Sequence, residues 1–140
     1  MIDHDRLHKS VKRLALQLEN HQGATGRAEL TTLDREALAE SVMQRFKKCY
    51  DTLWKHLKRY LAEEQGLTDI PNSPKQVFRL ANENYLLSGR IEQWLHYANT
   101  RTATAHDYSG EKAEESLAII PHFLTDAIGL YEIMTRTCWK

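Results

Sequence analysis

The chain has 140 residues, 41% apolar and 27% charged, and its 19 Lys and Arg balance 19 Asp and Glu. This suits one globular domain, residues 1–140, able to bury a core without disulfides or metals. The zero formal net charge excludes a global basic field, so any contact with nucleic acid must use a local patch.

Leu7, Val11, Leu14 and Leu18 recur at helical spacing and predict a first amphipathic helix from about Asp5 to Glu19. Asn20 to Arg27 contains two glycines and reads as a loop. Thr32 or Asp34 is placed to cap a second helix, with Asp34, Glu36 and Glu40 suited to its positive end. Its stripe of Leu38, Val42, Phe46, Cys49, Leu53, Leu57, Tyr60 and Leu61 runs to Gln65, a length of about 45 Å. Gly66 ends it, and Leu67 to Asn72 form a loop. Ser73 and Pro74 supply an N-cap and a proline at the first helical position. A short third helix then buries Val77, Phe78 and Ala81 and stops near Asn84. After Gly89, a fourth helix runs from Ile91 toward Thr104 with Trp94, Leu95 and Ala98 inward. Ser109 and Gly110 mark a turn. The last helix, about Glu111 to Arg136, keeps Ala113, Leu117, Ile120, Leu124, Ile128, Tyr131 and Met134 in one register across Pro121, which implies a kink rather than a break. No segment alternates as a strand does. The expected fold is all-α, an antiparallel bundle of about five helices.

The usual catalytic signatures are missing. The six glycines form no phosphate-binding loop, and no serine sits in a nucleophile elbow. Cys49 and Cys138 lie far apart and read as reduced, packed thiols. His4 and His8 stand at i and i+4 but lack a third ligand, so a solvated helix face is expected and no metal. His56 and His96 read as partly packed or surface residues, and His122 has no evident local partner. The start Met1-Ile2-Asp3-His4-Asp5 lacks the basic residues and apolar run of a signal peptide, and no apolar stretch approaches the roughly 20 residues of a membrane span. A cytoplasmic location, away from membranes, follows as the expectation.

One segment stands apart. Arg101-Thr102-Ala103-Thr104-Ala105-His106-Asp107-Tyr108 places a permanent cation, an imidazole, a carboxylate and a phenol where the fourth helix gives way to a turn. Cleavage of an RNA phosphodiester needs a base for the 2′-hydroxyl, an acid for the leaving oxygen and a cation for the developing charge. His106 can move protons near neutrality, and Arg101 can hold phosphate oxygens in its fork. One copy of each is a thin set, which a symmetric dimer would double. The same residues also suit a plain helix end, with His106 capping the turn and Tyr108 packed on the last helix.

The pattern Arg-x4-His-x-Tyr, here Arg101, His106 and Tyr108, resembles the signature of HEPN domains. Further pieces resemble the HEPN branch known as nucleotidyltransferase substrate-binding proteins: Gln44-Arg45-Phe46, Tyr50-Asp51-Thr52-Leu53-Trp54-Lys55, Tyr60-Leu61, Ser73-Pro74-Lys75-Gln76-Val77, the Trp94 region and Arg101 to Tyr108. They cover about Glu40 to Phe123, leaving Met1 to Leu33 outside, with packing alone assigned to it. The resemblance implies a helical homodimer with the motif at its cleft. It implies metal-independent cleavage of RNA, with tRNA a candidate substrate, by Arg101 and His106 with Thr102 and Asp107 in support, and no cofactor. The implied partner is a minimal nucleotidyltransferase acting as antitoxin, which in some pairs transfers AMP to the motif tyrosine, here Tyr108. The alternative that the family name implies is a non-catalytic substrate-binding subunit of that enzyme. The chain departs from the pattern twice. Thr102 stands where Asn is common, and Lys47 follows Phe46 where an acidic residue is often found.

Overall fold

The computed structural model describes residues 2–87, 90–103 and 110–139, with the side chains of 110–112 left aside. Five α-helices and one short 3-10 turn account for the secondary structure of these residues: α1 Asp5–Gly23, the turn Ala24–Gly26, α2 Thr32–Glu63, α3 Pro74–Glu83, α4 Ile91–Ala103 and α5 Gly110–Thr135. No strand occurs among the described residues.

α1 is longer than its sequence suggests. The loop expected from Asn20 is helical to Gly23 and then tightens into the 3-10 turn, which buries Ala24. Arg35 explains the extension: its guanidinium donates to the carbonyls of Ala24 (2.7 Å) and Arg27 (2.6 Å), tying the turn to the start of α2. α2 begins with a capping box. The Asp34 amide donates to the Thr31 hydroxyl (3.0 Å), and the Thr31 amide donates to the Asp34 carboxylate (2.9 Å), so the cap is Thr31 rather than Thr32 or Asp34. Gly66, at φ +69°, turns the chain out of α2 in a conformation that costs a larger residue energy. Ser73 occupies the N-cap position of α3 with Pro74 behind it, but its side chain makes no capping bond.

Two pairs of residues, one at each end of α1, set the topology. His4 at the start of α1 meets His56 late in α2, while Ala24 beyond the end of α1 meets Arg35 early in α2. The two helices are therefore antiparallel along their lengths. α5 closes against both, and α3 and α4 pack as a pair against α2.

The core draws on all five helices. Leu7, Val11, Leu14 and Leu18 of α1 face Val42, Phe46, Cys49, Leu53, Leu57 and Leu61 of α2. Phe123 of α5 lies at the centre of an aromatic cluster, with ring centroids 5.0 Å from Phe46, 5.3 Å from Tyr97 and 6.2 Å from Tyr50. Trp94 stacks on Phe78 at 4.9 Å. Removing a ring such as Phe123 would cost about 3–5 kcal/mol.

α5 is a continuous helix through Pro121, as expected, but its buried register differs. Ile120, Phe123, Ala127, Leu130, Tyr131 and Met134 are buried, whereas Leu117, Leu124 and Ile128 are half-buried at the core's edge. The helix thus carries two apolar stripes, which explains a second correction. The segment Ala113–Thr135 is long and apolar enough, by length and composition only, to cross a membrane, contrary to the sequence expectation.

Three side chains also differ from expectation. Cys49 is buried as foreseen, but Cys138, beyond the end of α5, is exposed rather than packed. His4 and His8 do not form a solvated face. The His4 ring bonds to that of His56 (2.8 Å), and His8 packs on Trp139 (4.8 Å between centroids) and Tyr131 (5.7 Å). Among the described residues, no group of three His, Cys, Asp or Glu could hold a metal.

Candidate functional site

Arg101 emerges in the last turn of α4, which is anchored from below. Trp94, Tyr97 and Ala98 are buried on the aromatic cluster, and the Tyr97 hydroxyl donates to the Asp126 carboxylate of α5. Burial first, then that bond, pushes the Tyr97 phenol above its ordinary range. With these residues fixed, Arg101 projects one turn later toward α2.

There it meets Asp51. The Arg101 Nε donates to Asp51 Oδ1 (3.2 Å) and Nη2 to Oδ2 (3.1 Å), a fork-to-carboxylate pair that sets the plane of the guanidinium. The pair is open to solvent, the side chains being 27% and 39% exposed. Lys47, one turn before Asp51, belongs to the same charge cluster. Burial lowers its ammonium below the usual lysine range, Arg101 lowers it further, and Asp51 opposes both. The residue that departs from the family pattern therefore adds a second cation beside Arg101.

The pair borders a cleft of about 460 Å³ lined by Tyr50, Trp54, Lys55, Lys75, Ala98 and Thr102, among others. Its floor holds an unsatisfied polar atom. The Tyr50 hydroxyl is buried and has no hydrogen-bond partner among the described residues. Burial raises this phenol above its ordinary range, Asp51 adds to the effect, and Arg101 opposes it. Lys55 lies over the Trp54 ring, 5.9 Å from its centroid. Thr102 turns its hydroxyl back to the Ala98 carbonyl (3.1 Å), so that oxygen serves its own helix. The cleft thus offers Arg101, Lys55 and Lys75 against one carboxylate, together with an aromatic wall and a neutral phenol. This chemistry favours an anion with an attached ring.

Of the sequence-derived site residues, Arg101 and Thr102 lie in this cleft. His106, Asp107 and Tyr108 lie outside the described residues. Asp51, Tyr50 and Lys75 were not singled out as functional from the residues alone. Their only signal was membership of the segments Tyr50 to Lys55 and Ser73 to Val77, which the cleft now brings together.

A family model described as "nucleotidyltransferase substrate binding protein like" matches residues 3–136. The chain belongs to that family. The match takes in Met1 to Leu33 from its third residue onward, which corrects the expectation that this part lies outside. Solved structures share the fold, among them the following three. One, from Haemophilus influenzae, is described as the fold of a substrate-binding domain of a nucleotidyltransferase (TM-score 0.84, 24% identity, covering 95% of this chain and 99% of that one). A second comes from Thermus thermophilus (TM-score 0.61, 27% identity, covering 88% and 96%). The third is a tri-AMPylated HEPN toxin from Shewanella oneidensis in complex with its MNT antitoxin (TM-score 0.76, 17% identity, covering 98% and 100%). No curated protein matches the sequence. The chain thus shares the helical-bundle fold of a HEPN toxin, as its ordered motifs implied.

Proposed function

We propose that the chain is a cytoplasmic HEPN-type toxin, a metal-independent endoribonuclease held in check by a nucleotidyltransferase partner that transfers AMP to Tyr108. The observation that carries this reading is the Arg101–Asp51 fork at the rim of a cationic cleft. A guanidinium held in a fixed plane is suited to the oxygens of a phosphodiester whose charge grows as it is cleaved. His106 follows Arg101 by five residues and supplies the proton transfers near neutral pH. AMP on Tyr108 would add bulk and negative charge close in sequence to both, repelling RNA phosphates. The half-buried stripe Ala113, Leu117, Leu124 and Ile128 on α5 supports a homodimer, which would pair two copies of the site.

A second reading has its own support. In this structure Asp51 already occupies the Arg101 fork, and Thr102 spends its hydroxyl on its own helix. Both fit a non-catalytic subunit that presents a bound molecule to a nucleotidyltransferase, as the family description suggests.

Growth of a bacterial host expressing the chain alone separates the two. Inhibition that disappears with His106→Ala and with Arg101→Ala supports the toxin. No inhibition by well-expressed, folded protein, or inhibition that persists in both variants, overturns it. A complex with the nucleotidyltransferase without toxicity supports the second reading.

A further inference from the structure

A second and larger groove, about 740 Å³, runs between α1 and α2. Arg6, Lys9 and Arg13 line one wall, and Arg45, Lys48 and Arg59 line the other. Asp3 and Asp51 are the groove's only carboxylates among its lining residues. In a chain with equal numbers of acidic and basic residues, this is a strong local segregation of charge.

The spacing makes it a rail. Residues 6, 9 and 13 fall on one face of α1, and residues 45, 48, 52, 55 and 59 fall on one face of α2. The α2 line extends for about 21 Å. Arg59 is paired with Glu63 (2.6 Å), but Arg6, Lys9, Arg13, Arg45 and Lys48 have no ion-pair partner among the described residues. Like charges three and four residues apart along one helix, as in each of these rows, cost that helix stability. A polyanion laid between them would reverse that cost. Ser10, Thr52 and His56 contribute uncharged polar groups between the rows, His56 being held neutral because burial, then His4, lowers its pKa to about 4. The groove also joins the Arg101 cleft, since Asp51 and Lys55 line both.

We infer that the α1–α2 groove is a track for the phosphate backbone of single-stranded RNA, leading away from the Arg101 cleft. The identity of the polyanion rests on the ribonuclease reading; the length of the rail and its continuity with the cleft favour a run of nucleotides over a single phosphate. Cations along the rail neutralise successive phosphates, the hydroxyls of Ser10 and Thr52 suit the RNA 2′-hydroxyl, and Trp54 in the adjoining cleft offers a face on which a base can stack.

The test uses the full chain carrying His106→Ala, so that RNA remains intact, and a fluorescein-labelled oligouridylate of about 15 nucleotides. Anisotropy titrations over a range of salt compare two doubly substituted proteins of equal net charge. Arg13→Glu with Lys48→Glu reverses two exposed groove cations, and Arg79→Glu with Arg90→Glu reverses two exposed cations elsewhere. Circular dichroism confirms that both are folded. The groove pair is expected to weaken binding at least tenfold and to lower the log–log salt slope by about 0.7 for each phosphate that is no longer neutralised. The distant pair is expected to bind within twofold of the parent. Equal weakening by both pairs, or parent-like binding by the folded groove pair, overturns the inference. Retained RNA binding with loss of the complex with a co-expressed nucleotidyltransferase also overturns it, making the groove a protein interface. The titration reads binding alone, so it can succeed where the growth assay shows no toxin, and fail where that assay shows one.

Discussion

Arg101 and Asp51, fifty residues apart in the chain, face each other fork to carboxylate, Nε to Oδ1 at 3.2 Å and Nη2 to Oδ2 at 3.1 Å. Because both side chains are partly exposed, water screens the pair and its contribution to stability is at most about 1 kcal/mol. Its value is geometric, since it orients the one permanent cation of the motif.

Asp51→Asn is therefore expected to leave the melting temperature within about 3 °C of wild type. It should nonetheless reduce RNA cleavage tenfold or more, because a misplaced guanidinium no longer meets the phosphate. Arg101→Lys keeps the charge, loses the fork, and should be impaired alongside it. Cleavage of a defined RNA by purified proteins, beside thermal melts, checks both. Wild-type cleavage by Asp51→Asn would make the pair incidental.

Tyr50 offers a sharper separation of stability from function. Its buried hydroxyl lacks a partner among the described residues, an arrangement that costs about 1–3 kcal/mol in the folded state. Tyr50→Phe removes the orphan oxygen without changing the ring's packing on Phe78 and Phe123. The variant is expected to melt a few degrees higher than wild type and to cleave RNA more slowly, because the phenol is kept for a group that enters the cleft. A stability gain with unchanged cleavage would remove Tyr50 from the site.

The local parts of this architecture were legible in the sequence, and the long-range parts were not. The stripe from Val42 to Leu61 is written at helical spacing, and all of it is buried. On α5 apolar residues occur on too many positions, so periodicity could not choose between the face of Leu124 and Ile128 and the face of Phe123 and Ala127. Packing chose the second, which presents the aromatic ring to Phe46 and Tyr97. Arg101 was found because it sits in a short motif. Its partner Asp51 was not, because nothing in local spacing records a contact across fifty residues. The same holds for His4 and His56, which are joined only once α1 and α2 fold back on each other.

That histidine pair makes the fold sensitive to acid. One ring must donate and the other accept, so the contact needs at least one neutral imidazole. Burial, then His4 and Arg59, depress the His56 pKa from 6.5 to about 4, with Asp3 opposing. Below pH 6.5 the unfolded chain binds a proton that the folded chain refuses, so stability falls with decreasing pH through that window and levels off near pH 4. A drop in melting temperature on the order of 5 °C is expected between pH 7 and 4.5. His56→Gln should flatten that part of the profile, and an equally steep fall in the variant would assign the acid sensitivity to other groups.

The bond from Tyr97 to Asp126 fixes the helix that carries Arg101, and its energetics can be read by a double-mutant cycle. Tyr97→Phe deletes a hydrogen bond to a charged acceptor and leaves a half-buried carboxylate short of a donor, a loss of about 1.5–3 kcal/mol. Asp126→Leu leaves the Tyr97 hydroxyl without that acceptor and should cost a similar amount. Removing both partners strands neither, so the double variant should lose less than the sum of the singles by about 1 kcal/mol or more. Chemical denaturation of the four proteins measures this coupling. The functional consequence is separate. Arg101 lies one turn beyond Tyr97 on α4, so a loosened anchor should also slow RNA cleavage in Tyr97→Phe even where the protein remains fully folded. Additive stability losses with unchanged cleavage would mean that the aromatic packing of Trp94 and Tyr97 alone positions the end of α4.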